Sequence, residues 1–365
     1  MNAPVLIGGG GPAGMALALA LRRVGVAARI VDARARGAAR DDKRVLALSH
    51  GSRLILESIL GADAWRGIPQ TPIRSIHVSH QGGLGRTLIR ATEEGVPALG
   101  YVLAAGDLAA ALDSAVAAAP IPYADNTPMP APADALLTVH AEGRSEDDAE
   151  VRTRDYGQHA VICTAQAATP HGGMAWERFA PQGPVALLPH ADAYAVVLTC
   201  DAADSARIAA LGDAEFLALL QARFGQRVQL AQVGARAVFP LGLRVRKQPV
   251  GARAVWIGNA AQTLHPVAGQ GFNLALRDIA VLTDTLADAA DPGDPELLAR
   301  YAARRRSDRW ATVGITDSLV NLFSNDNPLL RHARGAGLLA LDLLPPARRL
   351  LARQMMYGLR GCDPG

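Results

Sequence analysis

The N-terminal stretch "PVLIGGGGPAGMALALALRRVGVAARIVDAR" restricts the fold more than any other part of this 365-residue sequence. An apolar run, a glycine-rich turn, an apolar helical pattern and a second apolar run follow one another, which predicts a βαβ unit. Its G-x-G-x-x-G consists of Gly9, Gly11 and Gly14, and Asp32 ends the second strand eighteen residues after Gly14. In such a unit the first glycine permits a tight turn, the second lets the backbone approach a pyrophosphate, and the third lets the helix pack closely on the strand. The carboxylate can accept hydrogen bonds from a ribose. The pattern predicts dinucleotide binding; the alternatives are a structural glycine turn and, for Asp32, a surface carboxylate.

A second glycine-rich junction, "GNAAQTLHPVAGQGFNLALRD", lies at residues 258–278, between an apolar strand pattern and an apolar helical one. Gly269 and Gly271 permit close backbone approach, and the N–H groups that begin the helix near Asn273 form a site for negative charge. A reduced flavin carries such a charge, so the junction favours FAD. Two alternatives remain: a simple strand-to-helix turn, and an NAD-dependent dehydrogenase, which shares the N-terminal unit but has no use for this junction.

Composition limits the class of protein. With 50% hydrophobic and 19% charged residues, the chain can bury a large core, and its length suggests two domains. We expect no secretory signal and no membrane span, and we expect the scattered cysteines Cys163, Cys200 and Cys362 to be reduced in a cytoplasmic protein. The net charge of +3 includes an arginine excess after Tyr301, without a nucleic-acid motif. No spacing of ligand residues predicts a metal site.

Two further motifs, together with the fingerprint, carry a resemblance to a known family. The segment "DDKRVLAL" matches a D-x-R-x-x-A-L pattern with Asp42 and Arg44. The junction matches G-D-A-x-H-x-x-x-P followed by G-Q-G-x-N, with Asn259 in place of the acid and His265 before Pro266. Over essentially its full length the chain resembles the flavin-dependent aromatic hydroxylases of the para-hydroxybenzoate hydroxylase fold. Within them it resembles the ubiquinone-biosynthesis branch, closest to the 2-polyprenyl-6-methoxyphenol hydroxylases.

The resemblance implies an α/β fold: a Rossmann-like FAD-binding domain with an interleaved, mainly antiparallel β-sheet substrate domain and C-terminal helices. We expect the FAD-binding domain to comprise residues 1–73, 101–154 and 251–322. The substrate domain would comprise residues 74–100 and 155–250, and the C-terminal helical segment residues 323–365.

The resemblance also implies the chemistry. FAD stays bound, NAD(P)H reduces it as co-substrate, and O2 forms a flavin C4a-hydroperoxide that hydroxylates the ring of a hydrophobic polyprenylated phenol in ubiquinone biosynthesis. His265 is the expected catalytic base, with a structural histidine as the alternative. The residues expected to bind FAD are Gly9, Gly11, Gly14, Asp32, Arg44, Asn259, Pro266, Gly269, Gln270, Gly271 and Asn273.

The chain departs from the family pattern between residues 121 and 154, which contain one short apolar strand pattern where the family has several strands. Glu142, Gly143 and Ser145 are the candidates for a degenerate version of the family's A-D-G-x-x-S motif, with no functional role as the alternative. The shortening makes a catalytically inactive flavoprotein-fold subunit of a ubiquinone-biosynthesis assembly the alternative function. The residues "WERF", 176–179, are expected in the substrate sheet, with lining of the substrate pocket as the alternative.

The C-terminal tail contains two apolar helical patterns that Pro345 and Pro346 separate. The second is amphipathic and basic. Three hypotheses fit it: packing on the flavin domain, contact with other ubiquinone-biosynthesis proteins, and peripheral contact with the inner face of the cytoplasmic membrane.

Overall fold

The computed structural model describes residues 4–82, 85–130, 135–143, 149–323 and 328–359. The strands in these ranges are β1 (Val5–Gly8), β2 (Ala28–Val31), β3 (Val45–Ser49), β4 (Thr71–Ile73), β5 (Ser75–His80), β6 (Arg86–Arg90), β7 (Gly100–Ala104), β8 (Tyr123–Ala124), β9 (Leu137–His140), β10 (Val151–Ala167), β11 (Met174–Phe179), β12 (Val185–His190), β13 (Ala193–Asp201), β14 (Leu230–Val233), β15 (Ala237–Arg246), β16 (Val250–Gly251), β17 (Ala254–Trp256) and β18 (Gln262–Thr263). The helices are α1 (Pro12–Arg23), α2 (His50–Leu60), α3 (Ala62–Arg66), α4 (Ala105–Ala118), α5 (Ala202–Ala209), α6 (Asp213–Phe224), α7 (Gly271–Leu286), α8 (Pro295–Phe323), α9 (Pro328–Leu343) and α10 (Pro345–Tyr357).

The first sheet is the predicted Rossmann-like sheet. Its six strands lie in the order β16-β17-β9-β1-β2-β8, and β1 is paired in parallel with both β2 and β9. Every residue of β1 is buried, as expected of a parallel strand covered on both faces. The apolar side of α1 joins the same core as residues of α2, α4 and α7. The N-terminal βαβ pattern is therefore confirmed.

The second sheet forms the interleaved substrate domain. It has nine strands: eight follow the order β18-β15-β10-β13-β12-β11-β5-β6, and β14 pairs with β10. The pairs are antiparallel except for β11 with β5. A separate three-stranded sheet, β3-β7-β4, lies in the N-terminal part of the chain. The predicted fold class is confirmed, whereas the exact domain boundaries stay a prediction.

The region that the sequence marks as shortened contributes two short strands to the first sheet. β8 extends the sheet beyond β2, and β9 lies between β1 and β17. Residues 131–134 and 144–148 of this region lie outside the described residues. The remaining segment is sufficient to complete the parallel sheet around β1.

The C-terminal helices pack on the rest of the protein. The Ser49 hydroxyl donates to the Met356 carbonyl of α10 at 2.8 Å, and Arg348 pairs with Glu93 at 3.1 Å. A Cβ atom on Gly51 would lie 2.6 Å from the Met356 carbonyl oxygen, so α10 lies against the start of α2. None of the helices within the described ranges is long and apolar enough to cross a membrane.

A buried network of charged side chains joins α7 to α8. Arg305 donates to Asp278 Oδ1 at 2.7 Å and to Asp308 Oδ2 at 2.6 Å, and Arg277 pairs with Asp308 at 3.0 Å. No side chain in this set is more than 4% exposed. Burial lowers the pKa of Arg305, but Asp278 and Asp308 more than offset this, so its pKa is raised. The guanidinium stays charged between the two carboxylates.

Replacing Arg305 with Met should destabilise the protein strongly, because Asp278 and Asp308 would lose their shared partner in a dry environment. Removing one member of a buried ion pair costs about 3–5 kcal/mol. Arg304→Met is the matched control, since Arg304 pairs with Asp284 on the surface, where such a pair contributes about 0–1 kcal/mol. Urea unfolding of both variants measures the difference. Equal midpoints for Arg305→Met and Arg304→Met would contradict this account.

Candidate active site

The glycine turn between β1 and α1 is shaped for close approach. Gly9 has a φ of +104°, which favours glycine, and a Cβ atom on Gly14 would collide with the Gly9 carbonyl oxygen. Gly11 differs from both: a Cβ atom there would meet only Arg34 Nη2, at 3.9 Å. Helix α1 begins after Gly11 without a side-chain cap. The space above Gly11 therefore adjoins a helix N-terminus, the arrangement that binds phosphate.

Asp32 lies at the end of β2, beside this turn. Its Oδ2 accepts from the Gly10 N–H at 2.6 Å, and its Oδ1 accepts from the Arg34 N–H at 2.8 Å. Burial raises the pKa of Asp32, but the hydrogen bonds from Arg34 and Gly10 more than offset it, so its pKa is lowered. The carboxylate is held ionised, and the Arg34 side chain that pairs with it is 56% exposed. Asp32 retains acceptor capacity for a ribose hydroxyl.

The junction after β17 lies against the start of α1. Gly258, with a φ of +57°, occupies the contact: a Cβ atom there would lie 3.3 Å from the Ala275 Cβ and 3.8 Å from the Ala13 Cβ. Ala13 belongs to the first turn of α1 and Ala275 to α7. The half-buried Asn259 follows Gly258 directly, so the fold brings it close to the glycine turn.

Gln262 connects the junction to the buried ionic network. Its Nε2 donates to Asp278 Oδ2 at 2.8 Å, and its Oε1 accepts from Arg309 Nε at 2.7 Å. The Gly258 N–H also points to Asp278, at 3.4 Å. Both ends of the Gln262 amide are therefore used for anchoring, which gives this residue a structural role.

The start of α7 is anchored to β3 by Asn273. Its Oδ1 accepts from the Ser49 N–H at 2.8 Å, and its Nδ2 donates to the carbonyls of Ala47 at 3.0 Å and Gly269 at 2.7 Å. Gly269 has a φ of +60°, and α7 begins two residues later, at Gly271. Asn273 is thus a positioning residue that holds this glycine turn and the helix N-terminus in place.

His265 is buried, with 1% of its surface exposed. Its Nδ1 accepts from the Val267 N–H at 3.1 Å, and its ring meets Tyr156 edge-on at 5.6 Å. Its Nε2 has no hydrogen-bond partner among the described residues. Burial lowers the pKa of His265 to about 4, so the ring is neutral near pH 7, with its proton on Nε2. Pro266 lines an apolar cavity.

Arg44 forms a local ion pair. Its Nη2 donates to Asp42 Oδ2 at 2.6 Å, and 55% of its side chain is exposed. The backbone of both residues lies beside the first turn of α4, where the Ala105 N–H donates to the Arg44 carbonyl at 2.8 Å. The structure therefore places Arg44 on the surface, paired with the other residue of its motif.

The segment after β9 lies against the glycine turn. The Ala141 N–H donates to the Gly8 carbonyl at 2.7 Å, and a Cβ atom on Gly8 would lie 2.7 Å from Glu142 Oε1. Glu142 also meets His140 Nδ1 at 3.1 Å. The degenerate motif thus adjoins the predicted phosphate site, although Ser145 lies outside the described residues.

An apolar cavity of about 440 Å³ adjoins the start of α7. Its walls come from the second sheet, from β3, from the 266–270 turn and from α9 and α10. The residues that line it from the turn and from α10 include Pro266, Val267, Gly269, Gln270, Ala352, Met355 and Met356. Glu177 of β11 also lines it. The contribution of α10 has no signal in the sequence, because it depends on contacts between distant parts of the chain.

These features fit FAD. The open position above Gly11 and the uncapped start of α1 suit a pyrophosphate, and the ionised Asp32 beside them suits a ribose. The second helix N-terminus, at Gly271, lies next to an apolar cavity, which suits a flavin ring that becomes anionic on reduction. Within the described residues, no cluster of three or more His, Cys, Asp or Glu side chains is arranged to hold a metal ion.

Comparison with solved structures agrees with this fold. The p-nitrophenol 4-monooxygenase of Pseudomonas putida DLL-E4 superimposes with a TM-score of 0.75, covering 98% of both chains at 15% sequence identity. The PqsL protein of Pseudomonas aeruginosa, solved with 2-aminobenzoylacetate, covers 92% of this chain and 99% of its own with a TM-score of 0.71, at 20% identity. At these identities the likeness concerns the fold alone.

Sequence comparison identifies the family. A model of the FAD binding domain matches residues 2–57 and 145–316. The ubiquinone hydroxylase UbiL of Rhodospirillum rubrum is 35% identical, over 99% of this chain and 91% of its own length. The 3-demethoxyubiquinol 3-hydroxylase of Escherichia coli is 29% identical, over 93% of this chain and 94% of its own length. The predicted resemblance is confirmed: the chain belongs to the family of FAD-binding flavoprotein monooxygenases that includes the ubiquinone hydroxylases.

Proposed function

We propose that this protein hydroxylates the aromatic ring of a polyprenylated phenol in ubiquinone biosynthesis, using NAD(P)H and O2, as a 2-polyprenyl-6-methoxyphenol hydroxylase does. The observation that carries the proposal is the apolar cavity beside the start of α7. Its lining is almost entirely apolar, which suits a phenol with a hydrocarbon tail and does not suit a small charged acid. The names of the two sequence relatives support the same pathway.

The residues of the chain have separate tasks in this proposal. When bound, FAD supplies reduction by NAD(P)H and the activation of O2 for transfer of one oxygen atom to the ring. The backbone around Gly9, Gly11 and Gly14 and the Asp32 carboxylate hold its nucleotide end. Asn259 and the 266–271 turn hold its other end, and Asn273 positions that turn. The apolar lining excludes water from the reacting atoms.

His265 and Arg44 stay predicted site residues. The His265 Nδ1 is engaged by the Val267 N–H, so the free Nε2–H favours a hydrogen-bond donor over a base at this position. Arg44 would need to leave Asp42 to reach a ligand, and its exposure permits this.

We also propose peripheral membrane contact through the turn between α9 and α10. Leu343, Leu344 and Leu350 are 68%, 55% and 70% exposed, and Arg349 and Arg353 are exposed beside them. Exposed leucines flanked by arginines suit an anionic bilayer surface. The inner face of α10 lines the cavity, so a membrane-dissolved substrate would have a short path into the site.

The activity is tested with purified protein, FAD, NADPH and a prenylated phenol. We expect a bound flavin spectrum, phenol-stimulated NADPH oxidation, and incorporation of one atom from ¹⁸O2 into the product, detected by mass spectrometry. A yellow protein without phenol-dependent NADPH oxidation would favour the inactive-subunit alternative. A protein that does not take up FAD would contradict the proposed activity and would also favour the inactive-subunit alternative.

Replacing Gly11 with Ala should weaken FAD binding without unfolding the protein. The added methyl group meets no protein atom closer than 3.9 Å but occupies the space assigned to the pyrophosphate. We expect the Kd for FAD to rise at least ~10-fold, measured by flavin fluorescence titration, which corresponds to about 1.4 kcal/mol. Gly314→Ala, in α8 with nothing within 4 Å of the new atom, is the control and should bind normally. Normal affinity in Gly11→Ala would refute the assigned phosphate position.

Replacing Leu343 and Leu350 together with Ser should reduce co-sedimentation with anionic liposomes, because the exposed apolar surface supplies the insertion energy. Val24→Ser, which removes an exposed apolar side chain at the end of α1, should leave liposome binding unchanged. If the double variant binds liposomes as the wild type does, this turn is not the membrane contact.

A further inference from the structure

Glu177 interrupts an apolar row that crosses the second sheet. In the register of the sheet, Glu177 of β11 lies opposite Val78 of β5 and Ala186 of β12, and Ala186 lies opposite Val197 of β13. All of these residues line the apolar cavity. A carboxyl group therefore lies in a cross-strand row whose other members are valine and alanine.

The Glu177 carboxyl has no hydrogen bond or ion pair with any described residue. Three other polar side chains of the cavity wall bond to backbone: Ser49 donates to Met356 O, Thr87 to Leu338 O, and Asn273 to Ala47 O. Glu177 is also the one ionisable side chain among the described residues that line the cavity. Glu177 lines the cavity, and burial alone raises its pKa to about 7.

No charged group on the neighbouring elements explains why a carboxyl group lies at this position. The residues facing it from β5 and β12 are apolar, and the 266–270 turn and α10 contribute no ionisable side chain to the cavity. The adjacent Arg178 lines a separate polar pocket together with Arg227, as the alternation of side chains along a strand predicts. An unpaired carboxylate in such a setting is costly, and an apolar side chain such as leucine would avoid the cost. A ligand group that bonds to it would offset that cost.

We propose that Glu177 is a catalytic residue that binds the hydroxyl group of the phenolic substrate and accepts its proton. This inference rests on the proposed function. The phenol O–H bond breaks, its proton moves to the carboxylate, and the electron pair stays on the phenol oxygen, which makes the ring more reactive toward an electrophilic oxygen. The proton returns to the phenol oxygen of the product before release. A carboxylate whose pKa lies near 7 is a stronger base than an exposed one and is mostly ionised at pH 8.

Binding of 2-prenylphenol to the flavin-loaded protein tests the proposal without requiring turnover. Ultraviolet difference spectra between pH 5 and pH 9 give the Kd and report ionisation of the bound phenol. In the wild type we expect the affinity to rise at least ~5-fold through a pKa near 7, as the carboxylate forms. Glu177→Gln should bind more weakly at pH 8 and without this pH dependence, whereas Glu177→Asp should retain part of it. Glu296→Gln, on the exposed start of α8, should match the wild type.

Urea unfolding of the wild type and of Glu177→Gln, both without substrate, gives a second readout. The folded-state pKa of Glu177 lies above its unfolded value of about 4.3, so the unfolded chain releases the proton first as the pH rises. The free energy of unfolding of the wild type therefore falls as the pH rises from about 4.3 to about 7. Glu177→Gln lacks this loss, so its urea midpoint should exceed that of the wild type by more at pH 8 than at pH 5.

The outcomes separate this inference from the proposed function. Failure of 2-prenylphenol to bind the wild type, or an unchanged affinity and pH profile in Glu177→Gln, would overturn the role of Glu177. Binding that depends on Glu177, without NADPH-driven hydroxylation, would uphold the binding role and overturn the proposed reaction. If hydroxylation does occur, we expect kcat of Glu177→Gln to fall ~100-fold at pH 8, as loss of a general base predicts.

Discussion

The position of the cofactor-facing segments depends on the buried carboxylate of Asp278. It accepts from Arg305 of α8 and from Gln262 of the junction, and the Gly258 N–H points to it as well. One side chain therefore joins the end of β17, the body of α7 and the long helix α8. In a low-dielectric interior such a network is stable only when every member is paired, so the arrangement tolerates little displacement.

Asn273 anchors the start of α7 on the side of the cavity. Its three hydrogen bonds to the backbone near Ser49, Ala47 and Gly269 place the start of α7 against β3. The Ser49 hydroxyl in turn holds α10 through Met356. The cavity walls are thus assembled by polar contacts to backbone, which leaves the interior apolar. Glu177 is unusual because its carboxyl takes no part in that assembly.

Features that depend on local backbone geometry were predictable. The N-terminal fingerprint works because a tight turn and a close helix contact each require a missing Cβ atom, and Gly9 and Gly14 show both requirements. The junction at residues 258–278 carries the same kind of local signal, since Gly258 and Gly269 both have a positive φ. The strands β8 and β9 were harder to predict, because two and four residues are too few to show the alternation of apolar and polar residues that marks a strand. Nothing in the local sequence predicts that position 10 requires a glycine. A Cβ atom on Gly10 would nevertheless collide with Tyr123, which follows much later in the chain.

The sequence alone determined the dinucleotide-binding unit and the preference for a flavin, because both follow from the short-range spacing of glycines and apolar residues, whereas the mainly antiparallel second sheet was implied by the family resemblance. The tertiary structure decided which side chains reach the cavity. An alternating strand such as Met174–Phe179 has two faces, and only its pairing with β5 and β12 turns Glu177 toward the cavity and Arg178 away from it. The wall that α10 supplies likewise depends on a bond between Ser49 and Met356, which are separated by 307 positions. Local patterns cannot encode such contacts, because they form only when distant segments pack together.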